Sequence, residues 1–215
     1  MSPELYTLAV ATLFALVYGF LHAGRPGHSP LASLTKTLST ALVALAGWQA
    51  GAPDWVIAGL ALGALGDLAL SRPGTPAFLA GMAAFALGHL AYAWGFAQGW
   101  SQALPLTFWI ALLAMAGLGT LVMGWIAPRA GPLAWPVRGY TLVIGAMALA
   151  ASGMPDGTGI GMIQLGVVLF VTSDLILALG LFVARDAAAR TLAGQVLWPL
   201  YWGGQVLILL GVLSC

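Results

Sequence analysis

Eight apolar stretches follow one another along this chain, at approximately 4–22, 31–50, 54–70, 76–97, 103–126, 132–152, 158–183 and 192–213. A helix that crosses a bilayer needs about 20 predominantly apolar residues, so each stretch reads as one span. Between them lie only short runs of Gly, Pro and charge: GRPGHSP, GAPD, SRPGTP, QGWSQ, APRAGP, GMPDG and ARDAAAR. The expectation is an all-α polytopic membrane bundle of about eight transmembrane helices. It would form a single transmembrane domain over 1–215, with no soluble domain and no linker. A seven-span count stays open if 132–152 lies flat or re-enters, because it opens with Trp135, Pro136 and Arg138. The second, third and fourth breaks are tight enough to demand antiparallel neighbours in contact.

Composition agrees. Only 6% of residues are charged, against roughly 25% in soluble domains. A net charge of +1 gives no reason to expect nucleic acid. Cys215 is the single cysteine, so neither an intramolecular disulfide nor a cysteine-based metal site is expected. The first stretch lacks the positive lead of a cleaved signal peptide and reads as a retained span.

Orientation follows from the cations. Arg25, Lys36, Arg72, Arg129, Arg138, Arg185 and Arg190 all fall in or near odd-numbered loops, whereas Glu4, Asp54 and Asp156 mark the opposite side. The positive-inside rule then puts odd loops in the cytoplasm and both termini outside. A composition heavy in Gly, Ala and Leu suggests a bacterial inner membrane. The 29 glycines read as packing residues, Gly59, Gly63, Gly66, Gly203 and Gly204 among them. Trp48, Trp55, Trp100 and Trp135, near span ends, read as interfacial anchors.

Two acidic residues break the apolar pattern. Asp67 lies in GALGDLAL and Asp174 in GVVLFVTSDLILALGLF. A charge at the bilayer centre costs roughly 2.5–3.5 kcal/mol on insertion scales, which makes an intramembrane carboxylate a functional candidate. Asp67 has a plainer reading as a surface ion pair with Arg72. Asp174 lies eleven residues before Arg185, about 16 Å along a helix. No cation on its own helix can reach it, and its plainer reading is a hydrogen bond across the bundle. His89, near the middle of its span, is either a packing histidine or a member of a site. Lys36 either snorkels to the interface or binds phosphate. Tyr201 and Gln205, four residues apart, form a polar edge on an apolar helix. Ser33, Thr37 and Thr40 read as packing residues.

Spans two, three, four, seven and eight thus each offer a polar residue in the cytoplasmic half or near the midplane, as a cavity between helices would require. There is also an internal echo. Gly81, Phe85 and His89 recur in spacing as Gly166, Phe170 and Asp174, on helices of opposite direction. An inverted repeat and chance both account for it.

Five segments together resemble the lysoplasmalogenase family of membrane proteins, the YhhN type. They are TKTLST around Lys36, GDLAL with Asp67, FALGHLAY with His89 and Tyr92, FVTSDLILA with Ser173 and Asp174, and YWGGQ with Tyr201 and Gln205. They occur in family order over about 31–210. The chain departs from the family at Thr37, where proline usually follows the lysine. The resemblance implies a hydrolase that cleaves the vinyl-ether bond of lysoplasmalogens. Its products would be a fatty aldehyde and glycerophosphoethanolamine or glycerophosphocholine.

Vinyl-ether hydrolysis needs a proton donor for the β-carbon and a base to activate water, the logic of paired carboxylates in glycoside hydrolysis. Asp67 and Asp174 are the expected catalytic pair, sharing one proton, with the deeper Asp174 as acid. Lys36, His89, Tyr92, Ser173, Tyr201 and Gln205 are the expected supporting residues. No cofactor is required; a zinc site from His89 and the two aspartates is the lesser possibility. Two rival functions stay open, a proton-coupled transporter and a non-catalytic lipid-binding protein.

Overall fold

The computed structural model describes residues 2–27 and 29–215; Met1, and His28 of the GRPGHSP break, lie outside the described residues. It contains eight α-helices: α1 (Pro3–Leu21), α2 (Pro30–Gln49), α3 (Asp54–Leu70), α4 (Thr75–Ala97), α5 (Leu106–Leu121), α6 (Ala134–Ser152), α7 (Ile160–Phe182) and α8 (Ala187–Leu213). No strand occurs among the described residues. Helices are the natural outcome, because apolar surroundings force each backbone N–H and C=O to pair within its own segment. Proline in the first turn opens α1, α2 and α4 without losing a helical hydrogen bond. The ARDAAAR break is mostly helix. Asp186 accepts from Ala189 N at 2.7 Å and starts α8 five residues before the apolar run at 192.

Five helical stretches are long and apolar enough to cross a membrane: α1, α4, α7, α8, and Leu106–Ser152, which takes in both α5 and α6. Within that last stretch a π-helical turn (Val122–Ile126) and a 3₁₀ segment (Ala127–Leu133) separate the two helices. Gly131 reverses the chain there at φ 57°. At 17 residues α3 is short, and α2 is diluted by Ser, Thr and Lys36.

The helices close into a ring. α1 packs on α2, α2 on α3, α3 on α4, α4 on α6, α6 on α7 and α7 on α8, which returns to α1 and α2. The tight breaks after α2 and α3 do join packed neighbours, but the expected contact across the fourth break is wrong. α4 packs on α6, and α5 sits outside against α6 with no buried residue. The connection itself explains this. Trp100 Nε1 donates to Ala150 O at 2.8 Å and Ser101 N to Gly153 O at 3.1 Å. The 4–5 loop is thereby tied to the end of α6, and the chain is led past it.

The glycines divide by what they admit. A Cβ on Gly166 would lie 2.8 Å from Gly204 O, and one on Gly204 2.7 Å from Gly166 O, so α7 and α8 cross backbone to backbone. On α3, Gly59, Gly63 and Gly66 instead make room for side chains, those of Tyr92, Gln205 and Phe85 respectively. Gly203 faces open space and has no packing role. Trp55 also differs from expectation, since it turns inward against Tyr92 and Phe96. The echo between α4 and α7 has a structural counterpart. Gly81 lies against Gly66 O and Gly166 against Gly204 O, and His89 and Asp174 meet in the interior.

Gly204→Val should lose about 1–3 kcal/mol through overpacking, seen as a lower Tm in detergent, whereas Gly203→Val should unfold with the parent protein.

Candidate active site

Asp67 sits one turn from the end of α3, at 1% exposure, where Gly63 and Gly66 keep its helix face bare. Its Oδ1 lies 3.1 Å from Lys36 Nζ on α2. Its Oδ2 accepts from Thr40 Oγ1 at 2.8 Å and from Tyr201 OH at 2.9 Å. The partner is therefore Lys36 and not Arg72, and Lys36 turns inward, with only 15% of its side chain exposed, instead of snorkelling. Its ammonium also lies 6.0 Å from the Tyr18 ring centre. Three groups thus face Asp67, Lys36 as its ion-pair partner and Thr40 and Tyr201 through hydrogen bonds.

Behind Tyr201 runs a chain of polar side chains. Gln205 Nε2 donates to Tyr201 OH at 3.3 Å, and Gln205 Oε1 accepts from Tyr92 OH at 2.7 Å. Because the amide already donates to the Tyr201 oxygen, the Tyr201 proton has one useful direction, toward Asp67. Tyr92 and Gln205 are fully buried and thus orient Tyr201 from behind.

Asp174 has a different environment. On α7 its Oδ2 lies 3.5 Å from His89 Nε2 on α4 and 3.3 Å from Tyr140 OH on α6. His89 Nδ1 is engaged with the Phe85 carbonyl one turn back, so Nδ1 carries a hydrogen. Nε2 of the neutral ring is then a lone pair facing a carboxyl oxygen. That approach is favourable only when a proton lies between them, on Asp174 or on His89. Phe170 and Tyr140 pack edge-on to the imidazole and hold the ring in place. Ser173, though buried beside Asp174, bonds its own helix at Phe170 O.

Asp67 and Asp174 line one cavity of about 230 Å³, together with Lys36, Tyr18, Ser173 and Tyr201. Tyr18, Lys36 and Asp67 lie toward the helix ends that meet the cation-bearing loops, whereas Asp174 and Tyr201 lie farther inside α7 and α8. Among the described residues no three His, Cys, Asp or Glu side chains gather as a metal-ligating set. Asp67 pairs with Lys36 and Asp174 with His89, so the two aspartates have different partners.

Sequence reasoning missed three members. Thr40 had been read as packing, yet it donates to Asp67. Tyr140 is two residues past Arg138, where an aromatic reads as an interfacial anchor. Tyr18 sits in an otherwise apolar first span, and the i, i+4 pair with His22 was its one visible signal.

Residues 31–212 match the YhhN family. Lysoplasmalogenase TMEM86B of Homo sapiens is 35% identical over 156 residues, which cover 72% of this chain and 61% of that protein. The Rattus norvegicus protein of the same name is 32% identical over 164 residues, covering 76% and 64%. The chain therefore spans less than two thirds of the length of these relatives. No solved structure matches it. With helices α2 to α8 falling inside the matched region, the chain belongs to the YhhN family.

Proposed function

We propose that this protein is an integral-membrane hydrolase that cleaves the vinyl-ether bond of a lysoplasmalogen, with Asp174 as acid and Asp67 as base. The observation that carries the reading is one cavity holding two aspartates in opposite hydrogen-bond environments. Donors surround Asp67, whereas a histidine lone pair faces Asp174. Two carboxyl groups with such different neighbours in one cavity suit a division into acid and base. The names of the relatives support the substrate class.

The steps balance without an outside reagent. Asp174 gives its proton to the β-carbon of the vinyl ether, the C=C electron pair forms the new C–H bond, and an oxocarbenium ion results. Water adds to that carbon and loses a proton to the Asp67 carboxylate. The hemiacetal then collapses: its O–H proton returns to Asp174, and the departing glycerol oxygen takes the proton held by Asp67. Aldehyde and glycerophospho-alcohol leave, and both carboxyl groups are restored. His89 and Tyr140 keep the acid's proton in line, Tyr201 and Thr40 aim the base, and Lys36 meets the phosphate. Tyr92 and Gln205 position Tyr201, and Ser173 shapes the wall.

The same proposal takes the chain as a single membrane domain of eight crossings with both termini outside. The cation-bearing loops, and the cavity beside them, then face the cytoplasm. Gly, Ala and Leu enrichment fits a bacterial inner membrane.

Asp174→Asn and Asp67→Asn should each lower aldehyde release from lysoplasmenylethanolamine by about 10²–10⁴-fold, with detergent-purified protein, EDTA present and thermal unfolding preserved. Wild-type turnover by either variant sinks the two-carboxylate mechanism. Tyr140→Phe should cost up to about tenfold in kcat, the worth of one hydrogen bond, with little change in KM.

A further inference from the structure

Asp174 lines a second cavity as well. This one is a narrow slot of about 70 Å³ between α4, α6, α7 and the start of the π-helical turn. Its walls are hydrocarbon: Met82, Leu118, Val122, Ile144, Val171 and Leu175 are typical. The polar atoms it contains are already engaged. Thr141 Oγ1 donates to Val137 O, and Tyr140 OH to Asp174. Nothing in this slot can reward a polar ligand, whereas an alkyl chain loses water contact there at no polar cost.

The slot and the polar cavity share the stretch formed by Leu70, Phe85, Asp174 and Leu177. One side of Asp174 is therefore lined by Lys36 and Asp67, the other by aliphatic side chains. In an alkenyl lysolipid the vinyl ether is the junction between polar head and hydrocarbon. The junction of the two cavities falls on the residue assigned as the acid.

One residue controls the room beyond it. Ala178 lies one turn after Asp174 on the same face of α7 and lines the slot but not the polar cavity. It packs toward the cluster of Val122, Ile126 and Val137. A larger side chain would project into the space next to the acid. The slot holds about five groups of water size, and Leu181, which lines both cavities and is 48% exposed, marks where they approach the bilayer.

We propose that the slot past Ala178 is the hydrocarbon-chain subsite, and that Ala178 is the residue that determines which chains are admitted. This rests on the hydrolase reading for the position of the reacting bond, but not for the chain subsite itself. The test uses the full chain in detergent and a lysophosphatidylethanolamine with a saturated chain bearing a mid-chain diazirine. That probe has no vinyl ether and is not turned over. Photolabelling should fall on α7 between 175 and 182 and on Leu118 or Val122. Stearoyl lysophosphatidylethanolamine should compete, and glycerophosphoethanolamine should not. Ala178→Phe should reduce this labelling and aldehyde release from the alkenyl substrate by about tenfold or more, and Ala178→Val by less. If Ala178→Phe fails to fold, Ala178→Val carries the test.

Labelling confined to outward-facing residues such as Leu113 of α5, or undiminished in a folded variant, overturns the subsite. So does wild-type aldehyde release by folded Ala178→Phe, which leaves the hydrolase reading standing. Labelling that depends on Ala178, with no aldehyde from wild type, leaves the subsite standing and removes the hydrolase.

Discussion

The buried contact between Lys36 and Asp67 is the constraint around which the rest of the bundle is arranged. A carboxylate and an ammonium taken out of water gain from each other only if the geometry is good and the remaining lone pairs are satisfied. Three helices contribute to the cluster. α2 supplies Lys36 and Thr40, α3 supplies the carboxylate, and α8 supplies Tyr201. α8 enters far later in sequence than α2 and α3, so this cluster closes the ring. Gly63 matters for the same reason: its missing side chain is the space that Gln205 occupies behind Tyr201.

Asp174 inverts this logic. It meets a histidine whose other nitrogen is held by the carbonyl of its own helix. That backbone bond determines which imidazole nitrogen points inward and so which atom Asp174 meets. The two aspartates of one cavity thus differ in their neighbours, whereas the sequence offers only depth to tell them apart.

How much of this was legible beforehand depends on contrast. Asp67, Asp174, His89, Lys36, Tyr201 and Gln205 stand out because polar groups are rare in apolar runs, and the structure links them as two groups, Lys36–Asp67–Tyr201–Gln205 and His89–Asp174. Thr40 offered no contrast, because a helical hydroxyl ordinarily bonds its own backbone, as Thr35 and Ser39 do. Tyr140 was hidden by its closeness to a charged loop. The α4–α6 contact was illegible because short connections imply adjacent partners. Only the tertiary bonds of Trp100 and Ser101 reveal that this loop bypasses its neighbour. Individual helices are set by local apolarity, while their order around the ring is set by a few side chains at loop ends.

An amphiphile imposes two demands that conflict in one pocket: charged groups need donors and acceptors, and a chain needs their absence. The ring meets both demands with two adjoining cavities, one lined by Lys36, Asp67 and Tyr201 and the other largely by aliphatic side chains of α4, α6 and α7, with Asp174 on the wall of both. This division also explains why α5 is dispensable to the polar cavity yet lends Leu118 to the slot. Helices that carry the head-group chemistry pack tightly through glycines and an ion pair. Of the helices lining the slot, α5 and α6 are joined by a π-helical turn and a 3₁₀ segment. The proposed hydrocarbon slot thus borders irregular backbone, whereas an ion pair and the close glycine crossing of α7 with α8 bound the polar cavity.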